Sequence, residues 1–356
     1  MNPRIPGQEP RSLGEPIDTE PPDLVRASGR ATLEPMDPRI TDIQPGGGVV
    51  IRLEQAWGRV RRGYLKTFRR GYVRRMQELR RGARNPCPHE VLDPRDLKFH
   101  RNQPDAWSWD AADDPFTWRD RLPFARVGLA ELIVFSALFY GGAAVVALLA
   151  VVSGASGVVA GALWVCAAIL GSVGVLVTWF FRNPRRAIPQ EGGLVVSPAD
   201  GKIALIEEIE HDEFVGGRAV LIGIFLSIFN VHINRVPVRS RIIGVRYKAG
   251  KFLNALRPES AHENEQISIR LEQNEPPYRR MIVRQITGAF ARRIVCWVKP
   301  GDELAAGEQF GMIKLGSRTE LILPCEGELE IQARVGQNVK AGTSVLARYA
   351  ARKAVP

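Results

Sequence analysis

The sequence predicts a mainly β domain preceded by a transmembrane or re-entrant helical hairpin and a basic, partly disordered N-terminal extension. Three observations predict this order: a start rich in proline and glycine, an uncharged apolar run of fifty residues at 132–181, and short runs rich in valine and isoleucine after Arg186. With 356 residues, the chain is longer than one small core needs, so we expect several regions.

Residues 1–50 are rich in proline and glycine and lack a periodic apolar pattern, so we expect them to be mostly disordered. No apolar run lies near their start, which argues against a cleaved secretory signal. The cysteines have neither paired nor metal-ligand spacing and predict neither a disulfide framework nor a metal site; they are Cys87, Cys166, Cys296 and Cys325.

Residues 51–122 form a basic amphipathic extension. Between residues 51 and 84, twelve basic residues accompany two acidic ones, a net +10 of the chain's +11. Apolar residues recur there at helical spacing: Trp57, Val60, Tyr64, Phe68, Tyr72, Met76 and Leu79. Such a stripe between arginines is typical of a helix on an anionic membrane surface. A helix packed on the protein is one alternative. RNA binding is a weaker one, and we expect no nucleic-acid partner.

Residues 127–181 predict a membrane hairpin. The segment "SGASG" at 153–157 divides the uncharged run into apolar pieces, 132–152 and 158–181, each long enough to cross a bilayer. Basic residues flank both ends, which predicts that both ends are cytoplasmic; they are Arg119, Arg121, Arg126, Arg182, Arg185 and Arg186. Whether the hairpin spans or re-enters stays open.

Residues 182–356 predict a β-rich domain, because short valine- and isoleucine-rich runs alternate with Gly, Pro and Asn turn signals. Three of its residues supply an acid, a base and a hydroxyl nucleophile: Asp200 in "SPADGK", His232 in "FNVHINRVP" and Ser317 in "KLGSRT". These are the components of a triad, whose identity depends on geometry and not on chain order. Each also has an ordinary interpretation, as a turn or a structural residue, and spacing does not decide between them.

Six strings occur in a fixed order: "FFRNPRR" (180–186), "VSPADGKI" (196–203), "FNVHINRVP" (229–237), "ENEQ" (263–266), "ARRIVCWVKPGD" (291–302) and "GMIKLGSR" (311–318). Together they closely resemble the phosphatidylserine decarboxylase family over roughly residues 178–350. Some family members carry threonine after the serine, whereas this chain has Arg318. That feature resembles the shorter bacterial and archaeal-type branch, whose members can act on related serine lipids.

The resemblance implies that the chain cleaves itself between Gly316 and Ser317 into a large chain, 1–316, and a small chain, 317–356. In the family the serine becomes an amino-terminal pyruvoyl group. The resemblance implies Ser317 as the attacking hydroxyl, His232 as its base and Asp200 as the residue that orients the base. The pyruvoyl group serves as the electron sink that pyridoxal phosphate supplies elsewhere, so neither a separate cofactor nor a metal is expected.

The implied reaction is decarboxylation of phosphatidylserine to phosphatidylethanolamine in the bilayer, with the β domain on the cytoplasmic face of the inner membrane. The large and small chains are then partners from one precursor, and a homo-oligomer stays open. Three alternatives remain: a decarboxylase of a related serine lipid, a membrane-tethered serine hydrolase using the same residues, and a non-enzymatic lipoyl-like membrane adaptor suggested by residues 327–349.

Overall fold

The computed structural model describes residues 30–80, 85, 89–104, 109, 112–255, 257, 259–289, 293–314, 316–326 and 329–350. The first 29 residues of the segment predicted to be disordered lie outside this set, as does the end of the basic stretch at 81–84. Residues from Ala31 onward form one compact unit.

Six α-helices are described, and the two long apolar ones lie between the extension and the strands. The helices are α1 (Val49–Phe68), α2 (Arg70–Glu78), α3 (Pro94–His100), α4 (Leu129–Val152), α5 (Gly157–Phe180) and α6 (Ser260–Glu263). Short 3₁₀ turns at Thr117–Arg121 and Arg126–Gly128 precede α4.

Fourteen strands follow within the described residues, which confirms the prediction that the C-terminal region is mainly β. They are β1 (Leu194–Val196), β2 (Gly201–Asp212), β3 (Gly217–Leu226), β4 (Ile233–Arg235), β5 (Ser240–Lys248), β6 (Gln266–Gln273), β7 (Arg280–Thr287), β8 (Arg293–Cys296), β9 (Glu303–Leu304), β10 (Gln309–Lys314), β11 (Ser317–Pro324), β12 (Leu329–Ile331), β13 (Asn338–Val339) and β14 (Val345–Tyr349).

The strands form three antiparallel sheets. The large sheet has the order β13-β2-β3-β11-β7-β6-β5-β9, and the small sheets have the orders β4-β10-β8 and β1-β14-β12. Isoleucine, valine and leucine side chains fill the core, among them Ile222, Ile224, Ile267 and Leu321, none of which is exposed. Adjacent strands β10 and β11 belong to different sheets, so the chain changes sheet between them.

The prediction of disorder for residues 1–50 is wrong for residues 31–48, which lie against the β domain. The backbone N–H of Glu34 donates to the carbonyl of Ile243 at 2.9 Å, and that of Cys296 donates to Ile43 at 2.9 Å. Ile40 and Ile43 are buried. The backbone of this segment forms hydrogen bonds with the edges of the sheets, so the segment is ordered without a periodic apolar pattern of its own. For that reason its composition alone suggested disorder.

The predicted helical stripe at 51–84 is divided between two helices. Arg69 has φ −128° and ψ 47°, outside the helical region, so α1 ends at Phe68 and α2 begins at Arg70. Met76 is buried in a small cluster with Leu92 and Phe116, so it does not share the exposed face of α1. That face carries exposed apolar side chains throughout: Val49, Leu53, Trp57, Val60, Tyr64 and Phe68. Tertiary packing has removed the end of the predicted stripe from the exposed face.

Helices α4 and α5 form the predicted hairpin, and the break between Val152 and Gly157 lies where the small residues predicted it. Both are long and apolar enough to cross a membrane. They pack tightly, because an added Cβ on Gly174 would lie 2.8 Å from the ring of Tyr140. Their outer surface is apolar, with Val158 90% exposed.

Candidate active site at the junction of two sheets

Gly316 and Ser317 lie where the chain passes from one sheet to another. Strand β10 ends at Lys314 in the middle of a three-stranded sheet, and β11 begins at Ser317 between β3 and β7. Gly316 has φ +52°, in the left-handed region that favours glycine. The junction is therefore a sharp turn that directs a carbonyl and a hydroxyl into the protein interior.

Ser317 is fully buried, and its backbone is paired with Leu226 on β3 and Thr287 on β7. Among the described residues its Oγ has no hydrogen-bond partner. A buried hydroxyl without a partner costs about 1–3 kcal/mol. Ser240 on β5 has the same feature, so what distinguishes Ser317 is the glycine with positive φ directly before it. This atom is a strong candidate for a reacting group.

His232 is also fully buried, and its carbonyl accepts a hydrogen bond from the N–H of Ile313 on β10. Its Nδ1 lies 2.9 Å from the carbonyl oxygen of Asn230. Because a carbonyl only accepts, Nδ1 carries the proton and Nε2 carries the lone pair. Nε2 has no hydrogen-bond partner within the described part of the chain.

Burial lowers the pKa of His232 from 6.5 to about 4, and the positive charge of Arg182 acts in the same direction. The hydrogen bond to Asn230 opposes this shift. The imidazole is therefore neutral at pH 7. It is suited to accept a proton at Nε2, as a general base does.

A buried hydrogen-bond network joins the segments that carry His232 and Ser317. Asn234 Nδ2 donates to Thr319 Oγ1 at 3.0 Å, and Gln285 Nε2 donates to Asn234 Oδ1 at 2.9 Å. Asn234 lies two residues after His232, and Thr319 lies two residues after Ser317. The Asn234–Thr319 hydrogen bond therefore joins the two segments that carry the predicted base and nucleophile, while Nε2 of His232 and Oγ of Ser317 make no hydrogen bond to each other.

Asp200 has contacts other than the predicted one. Arg186 Nη2 donates to both of its carboxylate oxygens, at 3.0 and 2.8 Å, and the N–H of Ala341 donates to Oδ1 at 2.8 Å. The group that holds Nδ1 of His232 is the Asn230 carbonyl, so the structure differs from the expected Asp–His contact. Asp200 instead joins the segment before the junction to the segment after it.

Gly288 was not identified from the sequence, yet it contacts the carbonyl at the junction. A Cβ added to Gly288 would lie 2.5 Å from the carbonyl oxygen of Gly316 and 3.2 Å from Cβ of Ala255. The absence of a side chain at Gly288 lets the Gly316 carbonyl approach the end of β7. A glycine after a strand looks like an ordinary turn in the sequence, so no local signal marked this role.

The end of the hairpin reaches the candidate site. The ring of Phe180, the last residue of α5, lies 4.4 Å from the ring of His232. Arg182 Nη2 and Trp179 Nε1 donate to the carbonyl of Phe229, at 2.8 and 3.3 Å. The loop that carries His232 is therefore fixed to the base of the hairpin.

A buried serine hydroxyl, a neutral imidazole and an adjacent peptide carbonyl are the components of nucleophilic attack within a chain. The sequence model for phosphatidylserine decarboxylase matches residues 173–347, which include all of these groups. A Rhodopirellula baltica protein named phosphatidylserine decarboxylase proenzyme is 54% identical over 254 residues, which cover 71% of this chain and 99% of that protein.

Proteins with the same name from Symbiobacterium thermophilum and Carboxydothermus hydrogenoformans are 44% and 45% identical, over 52% and 49% of this chain and 84% and 80% of their own length. The chain belongs to the phosphatidylserine decarboxylase family. It is thus an enzyme of the carboxy-lyase class. Residues 31–172 lie outside the family match and include the extension and most of the hairpin.

Proposed function

We propose that this chain cleaves itself between Gly316 and Ser317, converts Ser317 to a pyruvoyl group and decarboxylates phosphatidylserine to phosphatidylethanolamine. The observation that carries the proposal is the buried hydroxyl of Ser317, which has no hydrogen-bond partner among the described residues and directly follows a glycine with φ in the left-handed region, in a chain of this family. The proenzyme names of its relatives are consistent with processing of a precursor.

In the proposed cleavage, Oγ of Ser317 attacks the carbonyl carbon of Gly316, while Nε2 of His232 takes the hydroxyl proton. The peptide nitrogen leaves with a proton and an ester joins the two residues. Elimination across Cα and Cβ of Ser317 then releases the carboxylate of Gly316 and leaves dehydroalanine. Water hydrolyses the tautomer of that residue to a pyruvoyl group and ammonia, so the balance needs no oxidant or reductant.

The residues around Ser317 fit this group. The pyruvoyl group supplies an electron-accepting carbonyl for decarboxylation. His232, neutral and with a free lone pair at Nε2, is the candidate to move a proton beside it. Asp200 contacts the N–H of Ala341, so we infer that it helps to keep the small chain, 317–356, on the large chain after cleavage.

We further propose that the hairpin lies in the bilayer and brings the site to its surface. The outward apolar side chains of α4 and α5 support this, as does the exposed ring of Phe229 beside Trp179 and Arg182. The exposed stripe on α1 would lie on an anionic surface. The basic residues on both sides of the hairpin favour the cytoplasmic face of the inner membrane.

Intact-protein mass spectrometry, before and after borohydride, tests the proposal together with an assay of lipid products. We expect chains 1–316 and 317–356, a small chain with a blocked and reducible terminus, and phosphatidylethanolamine from phosphatidylserine. An uncleaved 39.5 kDa chain would contradict it. Labelling of intact Ser317 by a phosphonate would favour a serine hydrolase, and an inert uncleaved chain would favour an adaptor. Cleavage with turnover of a different serine lipid would change only the substrate.

A further inference from the structure

A cavity of about 490 Å³ lies beside the candidate site, and three parts of the chain form its walls. Helices α4 and α5 contribute Phe135, Phe139 and Leu176, while the β domain contributes Ile228. The third wall is the start of α1, including Val50. This last wall lies outside the residues that match the family.

The polar groups of the cavity are few. Lys314 Nζ donates to Gln44 Oε1 at 2.9 Å and forms an ion pair with Glu131 in the first turn of α4. Burial lowers the pKa of Lys314, and the charge of Glu131 opposes that effect. Arg293 is the other cation on the wall. The charge of Lys314 is matched by Glu131, and Arg293 interacts electrostatically with Glu265, so the rest of the lining suits an uncharged, apolar ligand.

The cavity is connected to the candidate site in two ways. Phe180 lines it, and the ring of Phe180 also contacts the ring of His232 in a tilted arrangement, with the ring centres 4.4 Å apart. Lys314 lines it and stands two residues before Gly316 in the chain. A ligand in the cavity would thus extend from the side of the hairpin to within one aromatic ring of the imidazole.

We propose that this cavity holds one acyl chain of the serine lipid during turnover, and that the extension completes it through Val49, Val50 and Ile51. The inference rests on the proposed function and adds a role for the extension. The volume is within the range of roughly 300–1,000 Å³ usual for small-ligand sites, and the walls are almost wholly apolar. One of those walls is formed by α4 and α5, whose outer faces suit hydrocarbon, so an acyl chain could enter directly from the bilayer.

The test compares long-chain and short-chain phosphatidylserine as substrates of the full-length, cleaved enzyme in mixed micelles. Val50→Trp fills the cavity from the extension, and Leu176→Trp fills it from the hairpin. Val158→Trp, at the exposed start of α5, is the matched control. We expect both cavity variants to lower kcat/KM for long-chain over short-chain lipid about ten-fold or more, mainly through KM, while the control keeps the wild-type ratio.

Mass spectrometry first confirms that each variant is cleaved, and two cavity variants guard against one that fails to fold. A phosphatidylserine with a photoreactive group at the end of its acyl chain gives a readout that needs no turnover. We expect it to label peptides containing Val50 and Phe135, and Val50→Trp to abolish that label. An unchanged chain-length ratio in both variants would overturn the proposal.

Equal labelling by a photoreactive choline lipid, together with an unchanged ratio, would assign the cavity to bulk membrane lipid and also overturn the substrate assignment. If wild-type enzyme turns over no serine lipid but the serine lipid still labels the cavity, the proposed function fails and the acyl-chain site survives. Labels confined to the outer faces of α4 and α5 would exclude the cavity as the acyl-chain site, while the proposed function would be unaffected.

Discussion

On the hairpin, apolar side chains face outward, whereas around the Gly316–Ser317 junction polar atoms are buried without partners among the described residues. Val158 is 90% exposed on α5, while Ser317 and His232 are wholly buried. Each region reverses the usual relation between polarity and burial. The hairpin reverses it over a whole surface, which suits contact with lipid. The junction reverses it at single atoms, which suits chemistry.

The most direct way to break this comparison is Ser317→Ala, which removes the unpartnered hydroxyl. We expect no cleavage at all, because the attacking atom is absent, and one chain of full length by mass spectrometry. Ser240→Ala is a matched control, since Ser240 lies on β5, is also fully buried, and its Oγ also has no partner in the described part of the chain. Cleavage of Ser317→Ala, or its loss in Ser240→Ala, would count against a special role for Ser317.

Replacing the base should have the next largest effect. We expect His232→Gln to slow cleavage by roughly 10²–10⁴-fold, the usual contribution of a positioned general base. The measurement is a time course of precursor conversion on denaturing gels. His211→Gln is the control, because His211 is exposed near the end of β2. Cleavage of His232→Gln at the wild-type rate would exclude His232 as the base.

Gly288→Ala tests whether the Gly316 carbonyl must lie close to the end of β7. The new Cβ would meet the carbonyl oxygen at 2.5 Å, so the carbonyl must move. A misplacement of about 1 Å can cost about 10²-fold in rate, and we expect cleavage to slow by that order. Gly217→Ala has open space around its added Cβ and should cleave normally. Equal rates for the two variants would remove Gly288 from the site.

Much of the fold could be predicted from the sequence because its signals are local. The uncharged run marked α4 and α5, and the valine- and isoleucine-rich runs marked the strands. The segment around Ile40 and Ile43 could not be predicted, since its hydrogen bonds go to strands more than two hundred residues later in the chain. The division of the α1 stripe depends on the packing of Met76 with Leu92, which is also a tertiary effect.

The candidate site shows the same limit. Residue types and motif order indicated Ser317 and His232, but they gave Asp200 a contact that the structure assigns to the carbonyl of Asn230. Every residue has a backbone carbonyl, so the sequence does not indicate which carbonyl binds the histidine. The sequence did not indicate Gly288 for a related reason, because its role depends on the carbonyl of Gly316, 28 residues further along the chain.

The pH dependence of cleavage tests how far burial at the junction changes the pKa of His232, and so how strongly this region differs from the exposed hairpin. Its folded pKa of about 4 lies below the unfolded 6.5. The contribution of the neutral imidazole to the stability of the folded protein is therefore complete above pH 6.5, and it is lost as the pH falls toward 4. At pH 5 we expect cleavage at about 0.9 of its maximal rate, against about 0.03 for an unperturbed histidine. The slowed Gly288→Ala precursor makes the time course measurable, and a midpoint near 6.5 would contradict the buried base.

The smallest expected effect concerns the exposed stripe on α1, which extends the apolar outer surface of the hairpin. Trp57 and Phe68 are 55% and 70% exposed, and Val49 lines the same cavity as Phe135 of α4, so the two surfaces adjoin. We expect Trp57→Ser with Phe68→Ser to reduce decarboxylation on anionic vesicles only a few-fold, since the hairpin, if it lies in the bilayer as proposed, would still anchor the chain. Gln77→Ser, at an exposed polar position on α2, should change nothing. If the double variant keeps the full rate on anionic vesicles at both low and high salt, α1 lies away from the lipid and the membrane surface of this protein ends at the hairpin.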